Sequence, residues 1–241
     1  MRLLVINPNT SVSVSERLRA HVAAAVGAGV TLHVASATFG ARYIADEVSF
    51  AVAGHAALSA YAVHCQAHGA PDAVLLGCFG DPGVWALREL SRRPVVGLAE
   101  AAMREAATHG RFAIVTGGAA WEPMLRRLAR TLGLADGLAG VHVVEPTGAQ
   151  LAADPAMALH VLGAACRRAA AGVRSVIMGG AGLAGLASAI APGLGVPLID
   201  SVSAGARAAL TLDHRFLPTT QRTTAPGDWS GVDPALWQLA R

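Results

Sequence analysis

Cys78 is the residue in this sequence best placed to do chemistry. It stands in Leu75-Leu76-Gly77-Cys78-Phe79-Gly80-Asp81-Pro82-Gly83, between an apolar run and a glycine-rich turn that leads toward a helix. A helix N-terminus lowers a thiol pKa from about 8.5 and favours the reactive thiolate, so acid/base or nucleophilic work is expected of Cys78. The other two cysteines, Cys65 and Cys166, lie in helical patterns (AYAVHCQAH and GAACRRAA) where burial is the ordinary state. His64 and His68 have the i, i+4 spacing of a metal-binding pair, but no third ligand stands at motif spacing. No metal site is therefore expected, and the pair reads as a solvated helix end before Gly69. His55, after Gly54 at an expected helix start, is a possible cleft residue. Tyr43, in Gly40-Ala41-Arg42-Tyr43-Ile44, reads equally well as part of a loop over the cleft or as a plug in a local core.

Composition removes several kinds of chemistry. There is no lysine, and all 19 basic residues are arginine. A lysine Schiff base to pyridoxal phosphate and a Walker-A phosphate loop are both excluded. No cofactor is expected. The net charge is +3 and the arginines are scattered, so nucleic acid is not an expected partner. An odd, small number of cysteines makes no disulfide framework and points to a reducing, cytoplasmic setting. The opening MRLLVINPNT has one Arg and a very short apolar run, unlike a signal peptide. Residues 175–199 carry no charge and are long enough to span a bilayer. Their six glycines and two prolines instead predict a strand, a glycine loop, a short helix and another strand, so no membrane association is expected.

Elements that would position these residues alternate along the chain. Strands are expected at 3–6, 30–35, 73–76 and 94–98, with helices at 12–26 (capped by Thr10 or Ser11), 50–67 and 84–90. The order then repeats: strands at 111–115, 141–144, 175–178 and 196–199, helices at 121–132 and 156–170. Such alternation predicts α/β architecture with parallel sheets covered on both faces. The repeat has matching spacings. Cys78 follows Asn7 by 71 positions and Gly180 follows Thr116 by 64; Pro94 follows Cys78 by 16 and Pro197 follows Gly180 by 17. AVLLGCFGDPG also resembles SVIMGGAGLAG. Two pseudo-symmetric α/β halves with a cleft between them are expected, at 1–96 and 97–205, with 206–241 packing back on the first half.

Ligands of open parallel sheets bind beyond the carboxyl ends of the strands. Four strand ends here are small or polar: Asn7-Pro8-Asn9-Thr10, Gly77-Cys78-Phe79-Gly80, Thr116-Gly117-Gly118 and Gly179-Gly180-Ala181-Gly182. Their backbone N–H groups would form anion or oxyanion nests. The expected substrate-binding residues are Asn7, Asn9, Phe79, Thr116, Gly117, Gly180, Ala181 and Gly182.

VINPNTS at 5–11, LLGCFGDPG at 75–83, PVVGLAEAA at 94–102, RFAIVTGG at 111–118 and PLIDSV at 197–202 together resemble the hydantoin racemases of the aspartate/glutamate racemase superfamily. The resemblance runs over about 3–212. It implies cofactor-free proton transfer by two cysteines on opposite sides of a substrate carbon, with N–H groups holding an enolate-like oxygen. The first of those cysteines corresponds to Cys78. The second corresponds to Gly180, as the internal repeat also indicates, so two-thiol racemisation is not available. Three explanations follow: a natural single-cysteine enzyme; another group on the second face, such as His55 or an ordered water; or an engineered substitution at Gly180. Arylmalonate decarboxylases are the precedent for one-thiol protonation.

The expected function is cofactor-independent, hydantoin racemase-like proton transfer by Cys78 at the activated carbon of a small cyclic ureide, a 5-substituted hydantoin. The alternatives are a single-cysteine lyase or hydrolase, decarboxylating or cleaving a ring substituent, and a catalytically silent small-molecule binder. A homo-oligomer is expected.

Overall fold

The computed structural model describes residues 1–217 and 229–240. The first half runs β1 (Arg2–Asn7), α1 (Val12–Val26), β2 (Thr31–Ser36), α2 (Glu47–His68), β3 (Ala73–Leu76), α3 (Val84–Ser91) and β4 (Val95–Gly97). Helix α4 (Leu98–His109) leads into β5 (Phe112–Gly117), α5 (Trp121–Thr131), β6 (Leu138–Val144), α6 (Gly148–Ala153), α7 (Pro155–Ala169), β7 (Ser175–Met178), α8 (Ala187–Ile190) and β8 (Leu198–Asp200). Helices α9 (Ser201–Leu210) and α10 (Pro234–Ala240) follow. The strands form two parallel four-stranded sheets of orders β2-β1-β3-β4 and β6-β5-β7-β8. Renumbering the second sheet from β5 reproduces the first, so the two pseudo-symmetric halves expected from the repeat are present.

The central strands are apolar without alternation because both of their faces are buried. Their alternate residues still serve different cores. Leu3, Val5 and Leu75 of the first sheet and Phe112, Ile114 and Ile177 of the second share one core between the sheets. Leu4, Ile6, Val74 and Leu76 face outward onto Ala57 and Tyr61 of α2 and Leu87 of α3. Ala113, Val115, Val176 and Met178 face outward onto α7 through Leu162, Ala165 and Cys166.

Helices α4 and α9 fill the space between the sheets. They contact each other, α9 also touches α1 and β3, and α4 touches β7 and β8. Their small residues permit that approach. A Cβ at Gly205 would lie 2.7 Å from Leu98 Cδ2 and 2.9 Å from Leu75 Cδ1. Helix α10 packs on α2, where Ala235 and Leu236 meet Ala62. Part of the 206–241 segment lies outside the described residues.

The uncharged stretch 175–199 resolves into β7, a 3₁₀ turn (Ala181–Leu183), α8 and β8, as its glycines and prolines predict. Among the described residues, α2 is the one helix long and apolar enough to cross a membrane. It lies against β1, β2, α3 and α10 instead. Helix α1 begins where expected, but neither Ser11 nor Thr10 caps it through a side chain. The preceding turn is held by Asn7 and Asn9, whose amides bond to Ser11.

Candidate active site

The carboxyl ends of β1, β3, β5 and β7 open onto one cavity of about 190 Å³. Cys78 follows β3 by two residues and Gly180 follows β7 by two, and both line this cavity. Asn9, Phe79, Thr116, Gly117, Ala181 and Gly182 line it too. So does Tyr43, which also packs against the core between the sheets.

Two expected residues are elsewhere. Asn7 is fully buried beneath the cavity. Its Nδ2 donates to Asn9 Oδ1, Ser11 O and Ser15 Oγ, and its Oδ1 accepts from Asn9 N–H. With those bonds made, Asn7 holds Asn9 at the rim and does not face a ligand. His55 is not at a helix start, because α2 begins at Glu47. It is exposed, and its ring stacks edge-on against Phe39 at 5.0 Å between centroids. Sequence reading missed Trp121, Thr147 and Gly148, which also line the cavity. A signal for the last two was available: Thr147 and Gln150 form a reciprocal capping box that starts α6.

The loop carrying Cys78 is built by several close contacts. Cys78 O accepts from Gly80 N–H and Asp81 N–H. Asp81 takes a left-handed φ of 59° and sends its carboxylate back to the start of α4, accepting from Ala99 N–H (2.9 Å) and Glu100 N–H (2.8 Å). A Cβ at Gly97 would occupy the place of that carboxylate. The GCFGDPG and PVVGLAEAA segments are thus two parts of one device, in which Gly97 leaves room for Asp81 to cap α4. In the second half, Thr116 Oγ1 donates to Gly179 O at 2.8 Å, which ties the ends of β5 and β7 together. The Phe79 ring lies against Gly179, where any Cβ would collide with it. Trp121 likewise covers Gly80 from the opposite half.

The electrostatics overturn one expectation. Helix α3 starts only at Val84, after Asp81-Pro82-Gly83, so its N-terminus is not at Cys78. Burial, with the Asp81 carboxyl as a second cause, pushes the Cys78 thiol far above the usual thiol range. Both causes favour the protonated thiol over the thiolate. Burial also pushes Asp81 up to about 7, against the two N–H bonds that favour its charge. Cys166 is buried and raised to about 11 by that burial, as expected for a packing residue. Half-buried Cys65 is raised by burial too.

Among the described residues lining the cavity, Cys78 and Tyr43 are the titratable ones; none is Asp, Glu, His or Arg. The N–H groups of Phe79, Ala181 and Gly182 make no hydrogen bond to other described residues. Phe79 and Ala181 follow Cys78 and Gly180 at the two equivalent strand ends. The cavity therefore combines one thiol, one phenol, the uncharged polar side chains of Asn9, Thr116 and Thr147, free amide donors from both halves and an otherwise apolar wall.

Residues 3–209 match the model of the Asp/Glu/hydantoin racemase family. The chain belongs to this family. A hydantoin racemase of Paenarthrobacter aurescens is 33% identical over 215 residues, covering 88% of this chain and 91% of that one. An allantoin racemase from Klebsiella pneumoniae superposes with a TM-score of 0.88 at 31% identity, over 98% of both chains. An arylmalonate decarboxylase shares the fold, with a TM-score of 0.61 at 17% identity over 88% of this chain and 92% of that one. The two-sheet architecture is that of the racemase family, and the chain is a racemase-family enzyme.

Proposed function

We propose that this enzyme moves a proton at the activated carbon of a small cyclic ureide, of the 5-substituted hydantoin or allantoin kind, with Cys78 as the acid/base group and no cofactor. The observation that carries the proposal is the pairing of Cys78 with free amide N–H donors from both halves in a cavity without charged side chains. A dicarboxylate or an amino acid calls for cationic side chains, and this wall offers none. A neutral ureide ring needs only amide donors and apolar contact. The N–H groups of Phe79, Ala181 and Gly182 would stabilise negative charge on the enolate-like oxygen as the C–H bond breaks.

Gly180 supplies no proton on the opposite face. With His55 outside the cavity, Tyr43 or a bound water becomes the proposed second donor. A second reading is supported by the surroundings of Cys78, which favour its protonated thiol: one-sided protonation of a carbanion formed by loss of carbon dioxide. The absence of a lining cation weighs against it. A homo-oligomer and a cytoplasmic setting remain part of the proposal, the latter supported by three free thiols. Light scattering on the purified chain tests the former.

The test follows enantiopure 5-substituted hydantoins and allantoin in deuterated water, by NMR for exchange and by polarimetry for inversion. Wild type should exchange the carbon-bound proton, and Cys78→Ser should lower the rate by about 10²-fold or more. Exchange with little inversion would identify a one-sided enzyme. No exchange with any ureide, together with decarboxylation of an arylmalonate, would favour the second reading. Ligand binding without either reaction would mean a silent binder.

A further inference from the structure

Far from the cleft, the fold assembles a group that the spacing of His64 and His68 did not announce. The missing third imidazole is His33, at the middle of edge strand β2, opposite Leu4 in the ladder. It is distant in sequence and reaches the pair only because the C-terminal turns of α2 lie across β2. The ring centroids form a nearly equilateral triangle: 5.2 Å from His33 to His64, 5.2 Å from His33 to His68, and 4.9 Å from His64 to His68. One nitrogen of each ring lies within 4.8 Å of the others. His33 stands at no motif spacing from the pair, so the sequence alone does not join it to them.

We propose that His33, His64 and His68 bind one divalent transition-metal ion, with zinc as the chemical type that three imidazoles favour, and that the ion clamps edge strand β2 to the end of α2. Tetrahedral zinc with Zn–N bonds of 2.0–2.1 Å needs nitrogens about 3.3–3.4 Å apart, so each must move inward by under about 1 Å. Rotation of the side chains supplies a shift of that size without moving the backbone. Water is available for a fourth position. Asp233 borders the same space, and its Oδ1 accepts from Ala235 N–H at the start of α10. Arg2 borders the group from the other side and opposes a cation. Its charge is partly offset by Asp72, whose carboxylate lies 4.0 Å from the guanidinium. None of the three histidines lines the cleft, so the ion would act on stability and not on turnover.

The full chain, stripped with a chelator, is titrated with zinc against a chromophoric indicator and with cobalt for its visible spectrum. One equivalent is expected, bound in the low-micromolar range or tighter. Imidazole ligation should appear without a thiolate charge-transfer band, which separates this site from Cys65 and Cys78. Each of His33→Ala and His68→Ala should weaken binding by at least about tenfold. At one hundred times Kd, zinc should raise the Tm by roughly 5–10 °C in wild type and not in the variants. His68 is exposed, so its removal leaves the fold in place, and circular dichroism checks that. Binding of equal strength in the doubly substituted chain, a thiolate spectrum, or no binding at 100-fold excess would each overturn the proposal.

Discussion

Cys78 sits beside a carboxyl group that works against its ionisation. Asp81 is held there because it caps α4, and its charge is one cause of the raised thiol pKa. The sign is fixed: a raised thiol pKa means less thiolate at neutral pH, and reactivity that climbs as pH rises. Alkylation of Cys78 by iodoacetamide should therefore be slow at neutral pH. At about pH 8, above the value to which Asp81 is pushed, Asp81→Asn should accelerate it, because the repelling charge is gone. The same variant loses one of its two bonds to α4 and should be less stable by about 1–3 kcal/mol. Unchanged alkylation would remove Asp81 from the electrostatics of the site. Across the cleft, Gly180 has φ of 145°, and an added Cβ would lie 3.1 Å from Leu183 Cγ. Gly180→Cys should lower stability by roughly 1–3 kcal/mol for the backbone strain. It should also add a proton donor facing Cys78. Racemisation by the folded variant faster than by wild type, measured by polarimetry, is the expected result; no gain on a ureide that the variant binds would count against a two-sided cleft.

At the level of elements, α3, β4 and α4 are joined by a buried ion network. Arg88 donates to Val95 O through Nε and Nη2 and to Glu100 Oε2 at 2.6 Å, while Arg104 donates to Glu100 Oε1 at 2.9 Å. The Arg88 guanidinium also lies over the Phe216 ring at 5.6 Å. Arg88 and Glu100 are nearly fully buried. Removing one partner leaves an uncompensated charge in the interior, which costs more than the pair itself contributes. Glu100→Ala should therefore destabilise by about 3–5 kcal/mol in urea titrations. Arg126→Ala, which breaks the exposed pair with Glu122, should stay within about 1 kcal/mol. A similar small loss for both would mean that the network is solvated in solution.

The molecule as a whole is two halves around one shared core. Leu3 and Leu75 of one sheet, Ile114 and Ile177 of the other, and Met103 and Val202 of α4 and α9 belong to the same packed cluster. Neither sheet can lose its inner face without exposing the other. Thermal unfolding should then be a single cooperative transition, with far-ultraviolet dichroism and tryptophan fluorescence coincident. Two separated transitions would show that each half is stable alone. The shared core also explains the active site: each half ends its central strands in a glycine turn, and packing the halves together turns two loop clusters into one cavity.

Much of this was legible in the residues themselves. The runs AVLL and SVIM matched β3 and β7 to the residue, because burial on both faces leaves them almost wholly apolar; the one polar residue, Ser175, is buried and donates to Ala106 O. The matched spacings around Cys78 and Gly180 gave the pseudo-symmetry and the strand ends that meet at the cleft. Helices α4 and α9, which pack together between the sheets, were not foreseen. His55 was misplaced because a glycine inside α2 looked like a helix boundary. Asn7 looked like a ligand residue until its amide was found engaged on every side. The ionisation of Cys78 and the meeting of His33 with His64 and His68 were decided only by the tertiary structure. Sequence spacing sets which side chains share an element, but burial and through-space distance set pKa and ligand geometry, and those arise only when separate elements pack.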